Sequence, residues 1–136
     1  METREYAYYL GDVMKGNFTY AWDQEQLWEV ASRKKVITLN MNDIKHWIYS
    51  PCWSEDNCFI SIFQVLLQKS QFPDHIKRIK KADTNYPLIL MEDQFDKYGT
   101  ILDGNHRFAK LILQKKRKIK VVYFSKKELD NLKIKM

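Results

Sequence analysis

One run of residues, Ile101-Leu102-Asp103-Gly104-Asn105-His106-Arg107-Phe108-Ala109-Lys110, limits what this chain can fold into more than any other stretch. Two aliphatic residues suited to a strand lead into turn-forming residues and then into a helical repeat, so a strand must end and a helix begin almost at once. The first backbone N–H groups of a helix have no partner inside it and carry partial positive charge, so such a corner attracts anions. Gly104 lets a ligand approach the backbone closely, and His106 and Arg107 add hydrogen-bonding or cationic side chains. Strand, carboxylate, glycine, helix start and arginine together describe a corner that handles phosphate.

The rest of the chain must supply a core for that corner. With 136 residues, 45% of them hydrophobic and 14% aromatic, it is long enough for one domain and too apolar to be disordered. No apolar run approaches the roughly 20 residues that span a bilayer. The acidic N-terminus Met1-Glu2-Thr3-Arg4-Glu5 lacks the basic and apolar regions of a secretion signal. A soluble cytoplasmic protein with no membrane partner is expected. Cys52 and Cys58 form neither a disulfide framework nor a usual zinc spacing, and are expected as apolar thiols near the core. The net charge of +6 is uneven: residues 1–68 hold 6 Lys/Arg against 9 Asp/Glu, and residues 69–136 hold 17 against 8. A basic second half favours a nucleotide, a phosphorylated ligand or a nucleic acid, although lysine is also a common solubilising residue.

Hydrophobic spacing predicts the elements. Residues 1–22 are tyrosine-rich, broken by Gly11 and Gly16, and read as an irregular cover. Asp23 can cap a helix that buries Leu27, Trp28 and Ala31. Residues 35–39 read as a strand ended by an Asn40–Asp43 turn, followed by a loop carrying His46, Trp47, Tyr49, Pro51 and Trp53. From Ser54 the apolar spacing of Phe59, Ile62, Phe63, Leu66 and Leu67 predicts a helix. A basic helix over 74–81 with Ile76 and Ile79 inside follows. Strands are expected at 86–91 and 100–102, joined by an acidic turn through residues 92–97. Phe108, Leu111 and Ile112 form the inner face of the next helix, and residues 119–124 the last strand. Ser125 and Glu128 make a capping box for a C-terminal helix. The sum is a small α+β domain with a mixed sheet of about four strands and surrounding helices, residues 34–136, preceded by an extension and helix over 1–33.

A Pro-Leu-Ile-Leu strand, a loop, Ile-Leu-Asp-Gly-Asn-His-Arg, a helix and an Ile-Lys-Val-Val strand resemble the ParB/sulfiredoxin-like fold over roughly residues 34–130. Val36-Ile37-Thr38-Leu39 and Asn42-Asp43-Ile44 are similar to its opening strand and turn. The resemblance implies nucleotide binding at this corner. Asn105 stands where sulfiredoxins carry their reacting cysteine, which argues against that repair chemistry. His106 replaces the first arginine of the partition-protein box, and the long helix-turn-helix region that normally follows is missing. The free-serine kinases of the fold have the most similar motif: Asp103 and Arg107 match their aspartate and arginine, and Glu55 or Asp56 could stand in for their upstream glutamate.

The candidate roles follow. Asp103 can hold Mg²⁺ or accept a proton from a hydroxyl, as phosphoryl transfer requires, or it can simply cap the helix. His106 can contact phosphate or act as an acid–base group, or be a satisfied core histidine. Gly104, Asn105, His106 and Arg107 form the phosphate-binding set, with Arg107 suited to bidentate binding or to a salt bridge. Lys115, Lys116, Arg117 and Lys118 make a dense basic cluster, either a solvated turn or a nucleic-acid contact. Trp47, Tyr49 and Trp53 can stack a base or fill the core. His75 reads as ordinary helix-start chemistry. The expected activity is a phosphotransferase or nucleotide hydrolase acting with Mg²⁺ and a nucleoside triphosphate or diphosphate. The alternatives are a DNA-binding protein or nuclease, and an interaction or inhibitor protein that keeps the fold and binds a partner protein.

Overall fold

The structure is a computed structural model that describes the backbone of residues 6–7, 20–55 and 58–135 and the side chains within 22–55 and 58–132. Most of the expected N-terminal cover, and Asp56, lie outside the described residues. Within them the chain is α+β, with six α-helices and a four-stranded mixed sheet in the order β3 (Ile37–Asn40), β8 (Lys118–Phe124), β6 (Leu88–Met91), β7 (Thr100–Asp103). No helix among the described residues is long and apolar enough to cross a membrane. The chain packs as two compact units, residues 1–36, 89–103 and 122–136 in one and 37–88 and 104–121 in the other.

In the first unit, β1 (Tyr6–Ala7) and β2 (Tyr20–Asp23) pair antiparallel, and β9 (Lys133–Lys135) pairs antiparallel with β2. The irregular path expected through residue 22 is therefore corrected at these strands. Aromatic residues favour extended backbone, and Trp22 is buried and donates its indole N–H to the Leu129 carbonyl at 2.8 Å. Helix α1 (Gln24–Ser32) starts where Asp23 predicts, its carboxylate accepting from the Glu25 and Gln26 backbone N–H groups at 3.0 and 3.4 Å. Leu27 and Ala31, one turn apart, are buried, whereas Trp28 is 47% exposed. The buried face is one residue narrower than the spacing predicts, because residue 28 lies about 100° further round the helix than Leu27.

Strand β6 (Leu88–Met91) is buried at every position, as its unbroken apolar sequence demands when both faces are covered. Its Ile89–Met91 segment pairs antiparallel with β7 (Thr100–Asp103). The turn between them needs Gly99, whose φ is +86°. Beyond β8 (Lys118–Phe124), helix α6 (Lys126–Leu132) opens with the expected capping box: Ser125 Oγ accepts from Glu128 N, and the Glu128 carboxylate accepts from Ser125 N, both at 3.1 Å. Glu128 also pairs with Lys34, which holds its carboxyl below the usual range. Trp22, Leu27, Ile89, Leu102, Val122, Phe124 and Leu129 share one core.

In the second unit, β3 (Ile37–Asn40) pairs antiparallel with the first half of β8, Ile37 opposite Val121 and Asn40 opposite Lys118. The expected turn at 40–43 is instead a short helix, α2 (Met41–Ile44), continued by a 3₁₀ turn over Lys45–Tyr49. Asn40 takes the extended backbone of a cap there, and the Met41 N–H is satisfied by the Arg117 carbonyl at 2.8 Å.

The loop to Trp53 and the helix from Ser54 are corrected to a hairpin of β4 (Pro51–Glu55) and β5 (Cys58–Ser61), with helix α3 (Ile62–Leu67) after it. Apolar spacing misled here, because Phe59, a strand former in β5, falls at a helical interval from Ile62, Phe63 and Leu66. The true start was marked by Ser61 and Gln64, which form a reciprocal capping box. Ile62 and Val65 are buried, and Phe63 and Leu67 are exposed. Of the two free cysteines, Cys52 is half-buried, and burial pushes its thiol up to about 12. Cys58 is exposed rather than near the core, since its strand faces water at that end.

Helix α4 (Pro73–Lys81) buries Ile79 and half-buries Ile76. Helix α5 (Asn105–Leu113) buries Phe108, Ala109 and Leu111. It ends with Lys115 at φ +56°, whose N–H reaches the Ile112 carbonyl at 3.0 Å while Lys116 N–H reaches the Leu111 carbonyl at 3.1 Å. That pair of bonds is a Schellman closure with lysine in the place usually taken by glycine.

Candidate functional site

The strand-to-helix corner forms as the sequence requires. Strand β7 ends at Asp103, and Gly104, at φ +114°, is the residue from which α5 starts. A Cβ there would stand 3.0 Å from Leu88 Cδ2, so both the backbone angle and the space call for glycine. Because Gly104 is the cap residue, the Asp103 carboxylate does not serve as one. Its Oδ1 accepts from Gln24 Nε2 at 2.6 Å and its Oδ2 from the Trp28 indole N–H at 2.7 Å, both within the first unit. The boundary between the units falls at the Asp103–Gly104 peptide.

The most organised group of titratable side chains lies in the second unit. His106, on the first turn of α5, has its Nε2 3.0 Å from Nδ1 of His75, on the first turn of α4. His75 Nε2 in turn lies 3.3 Å from Glu55 Oε2, at the end of β4. Trp53, two residues earlier on the same strand, stacks on both imidazoles, with ring centroids 4.3 Å from His75 and 4.5 Å from His106 and planes within 23°. Burial, then the neighbouring His75 and Arg78, pushes His106 down to about 4, so it is neutral near pH 7. Burial also lowers His75, with Glu55 opposing it.

Two of the three residues expected to be catalytic, Glu55 and His106, are thus joined through His75, which spacing alone assigned to ordinary helix-start chemistry. A single sequence gave no sign that residues 75 and 106 meet. Trp53, considered as a base-stacking residue, stacks on the histidines. Trp47 is core, packed against Phe108 at 5.8 Å, and Tyr49 is exposed and packs on Phe63 at 5.0 Å.

Arg107 fastens the segment before β6. Its Nε donates to the Asp83 carbonyl at 2.7 Å and one Nη to the Pro87 carbonyl at 2.8 Å, with Tyr86 under the guanidinium. Asn105 is half-buried at the first position of α5. Lys110 closes the end of α4, donating to the Lys80 and Ala82 carbonyls at 2.8 Å each. Lys115, Lys116, Arg117 and Lys118 are all exposed, and Lys118 donates to the Asn40 side chain at 2.7 Å.

Among the described residues, no group of three or more His, Cys, Asp or Glu is arranged to hold a metal ion. Asp103 fits a metal only as a single carboxylate, each of whose oxygens already accepts one hydrogen bond. Compared with models of protein families, with curated proteins and with solved structures, the chain matches none.

Proposed function

We propose that the second unit binds a phosphorylated ligand, in the first instance a nucleoside di- or triphosphate, at the N-terminal turn of α5, with His106 handling the proton at the reacting centre. This makes the protein a nucleotide-dependent phosphotransferase or nucleotide hydrolase of the ParB/sulfiredoxin-like type. The observation that carries the reading is the position of His106: on the first turn of α5, directly after a left-handed glycine, its ring held by Trp53 and His75. A helix start favours an anion and disfavours an imidazolium, so backbone N–H groups there can donate to phosphate while a neutral histidine accepts the proton of an attacking hydroxyl. Mg²⁺ keeps several waters and is commonly held by one or two carboxylates together with substrate phosphates. The ion in this reading is therefore the nucleotide's own and needs no protein cage.

Calorimetry with ATP, ADP and CTP in the presence of Mg²⁺, paired with an assay of phosphate release, tests the proposal. Binding with turnover is expected for the native protein, and binding with little turnover for His106→Gln. No heat with any of these nucleotides at millimolar concentration overturns it. A second reading, binding to DNA, is favoured by one observation, the exposure of all four residues Lys115–Lys118 beyond α5.

A further inference from the structure

We infer that Glu55 and His75 are positioning residues that fix His106 in its Nε2–H tautomer and leave Nδ1 as the nitrogen that meets the ligand. The inference rests on the proposed role of His106, and it follows from the direction of the hydrogen-bond chain. An ionised carboxylate only accepts, so the His75 nitrogen facing Glu55, Nε2, carries a proton. A neutral imidazole has one N–H, so Nδ1 of His75 is an acceptor. The atom 3.0 Å from it is His106 Nε2, which must donate. Neutral His106 is then left with a lone pair on Nδ1. Glu55 thus sets the polarity of the whole chain from one end.

Trp53 holds both rings in place. Its indole covers both, so rotation of either imidazole must break the stack in passing as well as its hydrogen bond. The other charged groups beside the pair, Asp74 and Arg78, both lie on α4. Neither is a link in the chain.

The arrangement can also carry a proton. One proton taken up at His106 Nδ1 is balanced by transfer of the Nε2 proton to His75 Nδ1 and of the His75 Nε2 proton to Glu55. Both rings end neutral, each with its proton on the other nitrogen. The Glu55 side chain is 40% exposed and can return the proton to water.

Long-range ¹H–¹⁵N spectra of the ligand-free protein near neutral pH read the tautomer directly. The expected result is a pyrrole-type Nε2 and a pyridine-type Nδ1 for His106. Glu55→Gln, a near-isosteric change at a half-exposed side chain, should move both ¹⁵N signals toward the averaged position of mixed tautomers, because an amide can donate or accept. An Nδ1–H tautomer in the native protein overturns the inference, and so do signals unchanged in a folded Glu55→Gln. Should that variant not fold, the native spectrum alone decides. No nucleotide is present, so failure of the proposed function leaves the tautomer result standing, and an incorrect tautomer leaves the binding result standing.

Discussion

Removing His106 should flatten the acid limb of the stability curve. Its pKa falls from an ordinary 6.5 to about 4 in the fold, chiefly through burial and then through His75 and Arg78. The unfolded chain therefore binds the proton more readily than the folded one. The stabilisation is complete above the unfolded value and is lost as pH falls from 6.5 toward 4. At about 1.4 kcal/mol per pH unit the ceiling is about 3 kcal/mol, and the half-exposed ring brings it to about 1–2 kcal/mol after screening. Urea unfolding of the native protein and of His106→Gln, followed by circular dichroism between about pH 7 and about pH 4, measures it. The native protein should lose about 1–2 kcal/mol more than the variant across that interval. Titration of Glu128 and the other carboxylates is common to both proteins and cancels in the difference. Parallel stability curves would show that the imidazole pair is not a buried neutral unit, and the reasoning would fail.

The two left-handed glycines should differ in their tolerance of alanine. At Gly99 a new Cβ meets the Met91 backbone oxygen inside contact distance, whereas at Gly104 it meets the end of the Leu88 side chain. A loss of about 3 kcal/mol is expected for Gly99→Ala and about 1–2 kcal/mol for Gly104→Ala, read by urea unfolding. Arg107→Ala forfeits two bonds to the 83–87 segment and should cost about 2 kcal/mol of stability. A loss of nucleotide binding in that variant therefore counts only if its unfolding midpoint shows it folded under the assay conditions. For the nucleic-acid reading, neutralising Lys115–Lys118 should reduce the slope of log affinity against log salt by about 3–4. The absence of any gel shift with duplex or single-stranded DNA at low salt ends that reading.

Local signals survived folding wherever a side chain serves its own backbone. Asp23, Gly104 and the Ser125/Glu128 pair all do what their spacing implies, because a cap is satisfied within a few residues whatever surrounds it. The same logic would have located α3 from Ser61 and Gln64. Apolar periodicity overrode it, because Phe59 of the hairpin falls at a helical interval from the apolar residues of α3. Trp28 shows the converse limit: its apolar ring suggested burial, but its indole N–H serves the Asp103 carboxylate from an exposed position. In the D-G-N-H-R run the glycine's role was legible and the partners of its neighbours were not. Asp103 answers to residues 24 and 28, His106 to residue 75, and Arg107 to the carbonyls of 83 and 87. Each partner lies at least 20 positions away, beyond the reach of any local pattern.

The pairing of His75 with His106 has a common electrostatic cause. Each sits in the first turn of its helix, α4 and α5, where unpaired N–H groups place partial positive charge. An imidazolium at either place is opposed by that field, by burial and by Arg78, so two neutral rings share one hydrogen bond instead of repelling as two cations. Glu55 is the counterweight: its carboxylate satisfies the outer N–H of His75 and supplies the one acceptor that cannot become a donor while ionised. A lysine or arginine in place of either histidine would bring fixed charge to a site already positive through its backbone. Two neutral imidazoles instead keep the site open to an anion and still leave one nitrogen able to take a proton. In the proposed function, that combination would separate a corner that acts on a phosphorylated ligand from one that only holds it.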